Sequence, residues 1–174
     1  MCVRKIFLAA LGVLIMLASL SADVSAAPMA QEVKVGNSTV KLGDKIEKAI
    51  AAFGKPWHIA ANENYYWRDR VDLYSPEVVA KAYYGTKKIY ALIVDRVPTI
   101  NTPEGIGVGS SKYDVIKAYG KGRERKVSNG DVIMSYGKDE ALAPYMRFRF
   151  KAGTDKVSYY VIGKPDKPKS KKRR

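Results

Sequence analysis

Beyond residue 26 the chain has no cysteine, because the only one, Cys2, precedes a long apolar run. Disulfide staples, thiolate nucleophiles and Cys-based zinc sets are therefore excluded from the body of the chain. Histidine is nearly as scarce. His58 stands alone, too little for a metal centre, and a catalytic triad would need it beside a serine and a carboxylate. It follows Pro56-Trp57 just after a helix stop, where packing or solvent accounts for it. No apolar run after Leu20 approaches the roughly 20 residues that a membrane helix needs. The sequence thus calls for no metal, no cofactor and no catalytic residue.

What is present begins with an address. Arg4 and Lys5 precede an unbroken run of 15 weakly polar to apolar residues, Ile6 to Leu20. Val24-Ser25-Ala26 and Ser25-Ala26-Ala27 both offer small residues for cleavage, so residues 1–26 have the layout of a secretory signal peptide. The expected location is periplasmic, cell-envelope or extracellular, with no transmembrane span in the mature chain. About 148 residues remain, enough for one ordinary domain, whose stability must come from an apolar core.

The charge is lopsided: 31 basic against 17 acidic residues, or +14. Residues 164–174 hold seven basic residues and one acid. That Pro/Lys-rich stretch reads as a disordered basic tail. Lys169, Lys171, Lys172, Arg173 and Arg174 are its candidates for contact with an anionic polymer or membrane surface, at about 1 kcal/mol per basic residue. The balance favours anionic partners, and export argues against nucleic acid.

One pattern occurs twice. Val40 to Lys55 and Ile106 to Lys121 align 66 positions apart, with Gly43/Gly109, Ile50/Ile116, Ala52/Ala118 and Gly54/Gly120 matched. Gly85-Thr86 and Gly153-Thr154 repeat 68 positions apart. Two ordered matches at nearly one offset indicate an internal duplication. In the first copy Asp44 is expected to cap a helix whose stripe is Ile46, Ala49, Ile50 and Phe53, ending at Gly54. In the second, Ser110 or Ser111 caps, Val115, Ile116 and Tyr119 face inward, and Gly120 stops. Strands are expected at Tyr65–Arg70, Val78–Tyr84, Lys88–Asp95, Arg123–Val127, Val132–Tyr136, Tyr145–Lys151 and Lys156–Ile162. The expected organisation is a lead-in (27–37), repeat 1 (38–97), a linker (98–105) and repeat 2 (106–163). The expected fold class is α+β: two helix-plus-meander units, with both helices on one face of a joined sheet.

The stretches Gly43…Phe53-Gly54-Lys55-Pro56 and Gly109…Tyr119-Gly120-Lys121 resemble the G-x5-V-h-x-h-h-G-x-P signature (h apolar) of a broad superfamily. It includes β-lactamase inhibitor proteins and the small lipoprotein of the outer-membrane barrel-assembly machinery. The resemblance spans roughly residues 38–162 and implies the duplicated fold. Gly122 replaces the second proline, and the lipoprotein's acylated cysteine and the inhibitors' disulfides are absent. No particular target follows from the resemblance.

Other motifs dissolve on inspection. Gly105-Ile106-Gly107-Val108-Gly109 lacks the rest of a dinucleotide or P-loop fingerprint, and the duplication explains Gly109 as a helix start. Asp69-Arg70-Val71-Asp72 does not match a calcium loop. Asp69, Asp72, Asp131, Asp139 and Glu140 supply carboxylates for a general acid and base, but no spacing selects a pair. The aromatic residues point elsewhere. The chain has 12 tyrosines and two tryptophans, and several alternate with basic residues on the expected strands. Trp67, Lys81, Tyr83, Tyr90, Arg147, Arg149 and Tyr160 form the expected binding face, being of the types that anchor interfaces. The expected function is an exported, non-enzymatic module binding a protein or other macromolecule. The alternatives are an envelope-associated structural or assembly factor held by the tail, and a carboxylate-based enzyme.

Overall fold

The computed structural model of the chain describes residues 26–56, 58–62, 70–74, 78–83, 85–137 and 143–164, with backbone only for 58–62 and 70–74. In chain order the elements are β1 (Glu32–Val35), β2 (Ser38–Lys41), α1 (Ile46–Phe53), β3 (His58–Asn62), β4 (Arg70–Tyr74), β5 (Val78–Tyr83), β6 (Ile89–Asp95) and β7 (Ile100–Asn101). They continue with α2 (Lys112–Tyr119), β8 (Arg123–Lys126), β9 (Val132–Tyr136), β10 (Tyr145–Phe150) and β11 (Val157–Gly163).

These elements correct the expected fold class. Among the described residues the chain is mostly β, with two helices of only eight residues each. It forms two antiparallel sheets, not two helix-plus-meander units on one sheet. The second sheet, in the order β2-β1-β7, takes β1 from the segment read as lead-in, β2 from the start of repeat 1 and β7 from the linker. The physical reason is local. Glu32-Val33-Lys34-Val35 alternates with period two, and Gly36, at φ 53°, turns the chain back into β2. Val33, Val40 and Ile100 are then buried, which isolated polar-flanked valines and isoleucines would not achieve as loop.

The larger sheet runs β3-β4-β5-β6-β11-β10-β9-β8. Its register carries one buried row from Ala80 through Leu92 and Ile162 to Met146, and a second from Val78 through Val94, Tyr160 and Phe148 to Met134. Ile46 and Ala49 of α1, Val115 and Tyr119 of α2, and Val33, Val40 and Ile100 of the small sheet join these rows in one apolar cluster. The Phe148 ring lies 5.9 Å from Tyr119, 6.3 Å from Tyr136 and 5.7 Å from Tyr160, the separations of favourable aromatic pairs. Tyr160 is fully buried and donates its hydroxyl to the Ile100 carbonyl at 3.1 Å, tying the two sheets together.

Each helix start is bound to a strand start by the same three hydrogen bonds. In the first case Gly43 N–H donates to Ile89 O (2.7 Å), Ile89 N–H to Asp44 O (2.9 Å) and Ile46 N–H to Lys87 O (2.9 Å). In the second, Gly109 N–H donates to Val157 O (2.8 Å), Val157 N–H to Ser110 O (2.9 Å) and Lys112 N–H to Asp155 O (2.9 Å). Gly43 and Gly109 hold φ 95° and 92°, values that favour glycine ahead of each helix. The caps differ. Ser111 and Asp114 form a reciprocal capping box, whereas α1 starts after Lys45 with no side-chain cap. Asp44 is not the cap: its carboxylate turns back to accept from Lys41 N–H at 2.8 Å and pairs with Lys48 at 2.9 Å.

Phe148→Ala is expected to cost about 3–5 kcal/mol, the usual range for emptying a packed aromatic site. Tyr160→Phe, which removes only the inter-sheet bond, should cost about 1 kcal/mol. Urea denaturation of the two variants checks both the values and their order.

Candidate functional site

Antiparallel partners point to the same side of a sheet, so the rows between the buried ones face away from the helices and the small sheet. One runs Val79, Ile93, Val161, Arg147, Ser135, Arg123, and the next runs Asp95, Tyr159, Arg149, Ile133, Arg125. The apolar cluster that the helices and the small sheet join includes none of Val79, Ile93, Val161 and Ile133. Val79 and Ile93 are half-buried, whereas Val161 and Ile133 are each 8 % exposed. The result is an apolar stripe across three strands, edged by arginine and tyrosine.

Several groups on this face are held by contacts within the chain. Arg149 donates from Nε to Asp131 Oδ2 at 2.6 Å, and its guanidinium carbon lies 5.8 Å from the Tyr159 ring centre. Asp131 also accepts from Asn129 Nδ2 at 3.0 Å and from Ala152 N–H at 2.8 Å. The rings of Tyr83 and Tyr90 lie 4.7 Å apart.

Register shifts decide which tyrosines belong here. β10 and β11 slip by one residue between Arg149 and Phe150, and β5 and β6 slip between Lys81 and Ala82. Each bulge inserts an extra residue and reverses the inward–outward parity of the residues beyond it. Tyr160 is therefore in the core, a correction to its expected place on the binding face, and Tyr159 takes the outward position opposite Arg149. Tyr90 is only 5 % exposed, yet stands outside the main apolar cluster and against Tyr83. Arg147, Arg149, Lys81 and Tyr83 occupy alternate, half-buried positions of β10 and β5. Trp67 and the tail positions Lys169, Lys171, Lys172, Arg173 and Arg174 lie outside the described residues, as does most of the strand expected at Tyr65–Arg70. Sequence reasoning placed Val79 on the side away from the helices with Lys81 and Tyr83, but passed over Tyr159, Ile93 and Val161; opposing Lys156–Ile162 to Tyr145–Lys151 with a bulge would have found Tyr159.

A second concavity lies on the other side. A groove of ≈ 560 Å³ is lined by Glu104, Ile106, Asp114, Lys117 and Ala118, and by Ala27. Beneath it, the Tyr119 hydroxyl donates to the Glu104 carboxylate and accepts from the Thr102 hydroxyl (2.6 Å), while Thr102 Oγ1 accepts from Ile106 N–H at 3.2 Å. Burial, reinforced by Glu104, pushes the Tyr119 phenol far above its ordinary value. Through these bonds it holds the turn. Among the described residues no three His, Cys, Asp or Glu side chains converge in a way that would hold a metal ion. Of the carboxylates considered for acid–base work, Asp131 is committed to the bonds above. Asp69, Asp139 and Glu140 lie outside the described residues, and Asp72 is described in backbone only. No described helix is long and apolar enough to cross a membrane.

No family model, no curated protein and no solved structure matches the chain. The resemblance to the inhibitor and lipoprotein superfamily accordingly rests on its two glycine-bounded motifs.

Asp131 generates a prediction. The Ala152 N–H, then Asn129 and Arg149, hold its carboxyl below the ordinary range, against the opposing effect of burial. A depressed carboxyl contributes stability that is complete above its unfolded value of about 3.9 and is lost as pH falls through its folded value. Asp131→Asn should flatten that acid-side loss. Urea midpoints measured from about pH 6 down to about pH 2 are expected to fall more steeply for the natural chain than for the variant. Parallel curves would remove Asp131 from the acid response.

Proposed function

We propose that the chain is an exported, non-enzymatic binding module that engages a macromolecule through the side of the large sheet facing away from the helices. The observation that carries this reading is the stripe of Val79, Ile93 and Val161 beside Tyr159, Arg147 and Arg149, which lies outside the apolar cluster that the helices and the small sheet join. An apolar centre with tyrosine and arginine at its border is the composition of an interface core. The stacking of Arg149 on Tyr159 and its bond to Asp131 fix those side chains in advance, which lowers the entropy lost on binding. The partner that suits this face is a protein or envelope polymer presenting apolar surface bounded by acidic groups.

Binding of the immobilised protein to a solubilised envelope fraction tests the proposal. Ile93→Glu and Tyr159→Ala should each weaken retention roughly tenfold or more, the effect of losing a central anchor. Tyr113→Ala, on α2 and 72 % exposed, serves as the control and should leave retention unchanged. Equal retention by all variants, with unaltered thermal unfolding, would contradict the assignment of the face.

A second reading is an envelope-associated factor held by its basic tail. It is supported by the anchoring of Lys164, the first residue of the basic stretch, whose N–H donates to Tyr90 O at 2.8 Å next to the Tyr83–Tyr90 ring pair. Deleting residues 165–174 should then lower the salt concentration needed to release the protein from membranes or walls. Release at the same salt with and without the tail would exclude it.

A further inference from the structure

The segment just after the expected signal peptide is built into the fold. Ala27 N–H donates to the Ala118 carbonyl at 2.8 Å. Ala118 lies in the last turn of α2, where carbonyls have no partner within the helix. A Cβ placed on Gly120, the residue that ends α2, would lie 3.2 Å from the Ala26 Cβ. Ala27 and Met29 pack against the apolar cluster, Ala30 is 6 % exposed, and the chain then runs into β1. Ala27 also forms part of the wall of the ≈ 560 Å³ groove that Glu104, Asp114 and Lys117 line.

We infer that the leader is cut after Ala26, and that the amino group freed on Ala27 is held as an ammonium clasp on the C-terminal end of α2. The inference rests on the export reading of residues 1–26 and adds the bond that is cut and the fate of the new terminus. Hydrolysis of the Ala26–Ala27 peptide bond consumes one water and leaves a carboxylate on Ala26 and an ammonium on Ala27. The ammonium keeps the bond to Ala118 O and gains two further donors. The negative end of the helix dipole and the carboxylates of Glu104 and Asp114 favour its charge, and Lys117 opposes them. A cut one residue later would instead leave Pro28 at the terminus and remove the donor to Ala118 O altogether. The alternative frame, Ser25-Ala26-Ala27, is thus distinguished by the fold.

Two measurements on the exported protein test this. Intact mass should correspond to a chain beginning at Ala27. A mass that retains residues 1–26 would overturn the export reading itself. A mass that begins at Pro28 or another residue would overturn the clasp while leaving export standing. The second measurement compares urea unfolding of chains beginning at Ala27 and at Pro28. The shorter chain should show a roughly two- to fivefold larger unfolding constant at neutral pH, the usual effect of a charge at a helix end. A held ammonium has a raised pKa, so its stabilisation is complete below the unfolded value of about 7.7 and is lost as pH rises through the folded value. The chain beginning at Ala27 should therefore lose part of its advantage in alkali. Equal unfolding constants at neutral pH would overturn the clasp, and an advantage that persists unchanged in alkali would show that Ala27 only fills space.

Discussion

Five residue pairs, from Tyr159 opposite Asp95 to Gly163 opposite Ala91, join β6 to β11 and make one eight-stranded sheet of two four-stranded ladders. Both the buried rows and the outward rows run through this seam. Without it Val94 would not meet Tyr160, and Ile93 would not meet Val161. The seam depends in turn on where its strands begin. Ile89 and Val157 open β6 and β11, and each is held by the same set of hydrogen bonds to the glycine-led start of a helix. The helices are short and contribute few buried side chains. Their main effect is to present Asp44 O and Ser110 O to the two central strands.

The two bulges connect that framework to the outward rows. Each lies close to a clasped strand start and reverses the parity of the strand beyond it. On β11 this sends Tyr160 inward, where it bonds Ile100 and holds the small sheet against the large one. It sends Tyr159 outward, where Arg149 stacks on it. One inserted residue therefore sets both the tie between the sheets and the outward place of Tyr159 beside Arg149. Asp131 serves in a similar double way, binding the Ala152 amide just past the end of β10 and orienting Arg149.

Much of the strand pattern was legible because it depends on local alternation. Met146, Phe148 and Phe150 against Arg147 and Arg149 need only the period of a strand, and the structure buries the first set. The glycines at the helix starts and stops were legible for the same reason, since they answer to backbone conformation at one residue. What failed was mostly non-local. The alternation of β1 was there to read, but the β1–β2 hairpin becomes a larger sheet only with β7, whose partners in β1 lie 65 and 67 residues away. Tyr160 was misplaced because a bulge changes parity without leaving a mark in composition. The echo at residues 85 and 153 was visible, but not that each turn bonds back to its own helix start. Asp44, which has the right residue type for a cap, lost that role to its bonds with Lys41 and Lys48.

The central claim is that the side of the sheet opposite the helices is the binding surface, and amide NMR during titration with a solubilised envelope fraction tests it most directly. The account predicts that shifts and broadening concentrate on Val79, Ile93, Val161, Tyr159, Arg147 and Arg149, while the amides of α1, α2 and the β1–β2 hairpin stay unchanged. Perturbation confined to the helices or the small sheet, with the outward rows of β5, β6, β11 and β10 unaffected, would contradict it.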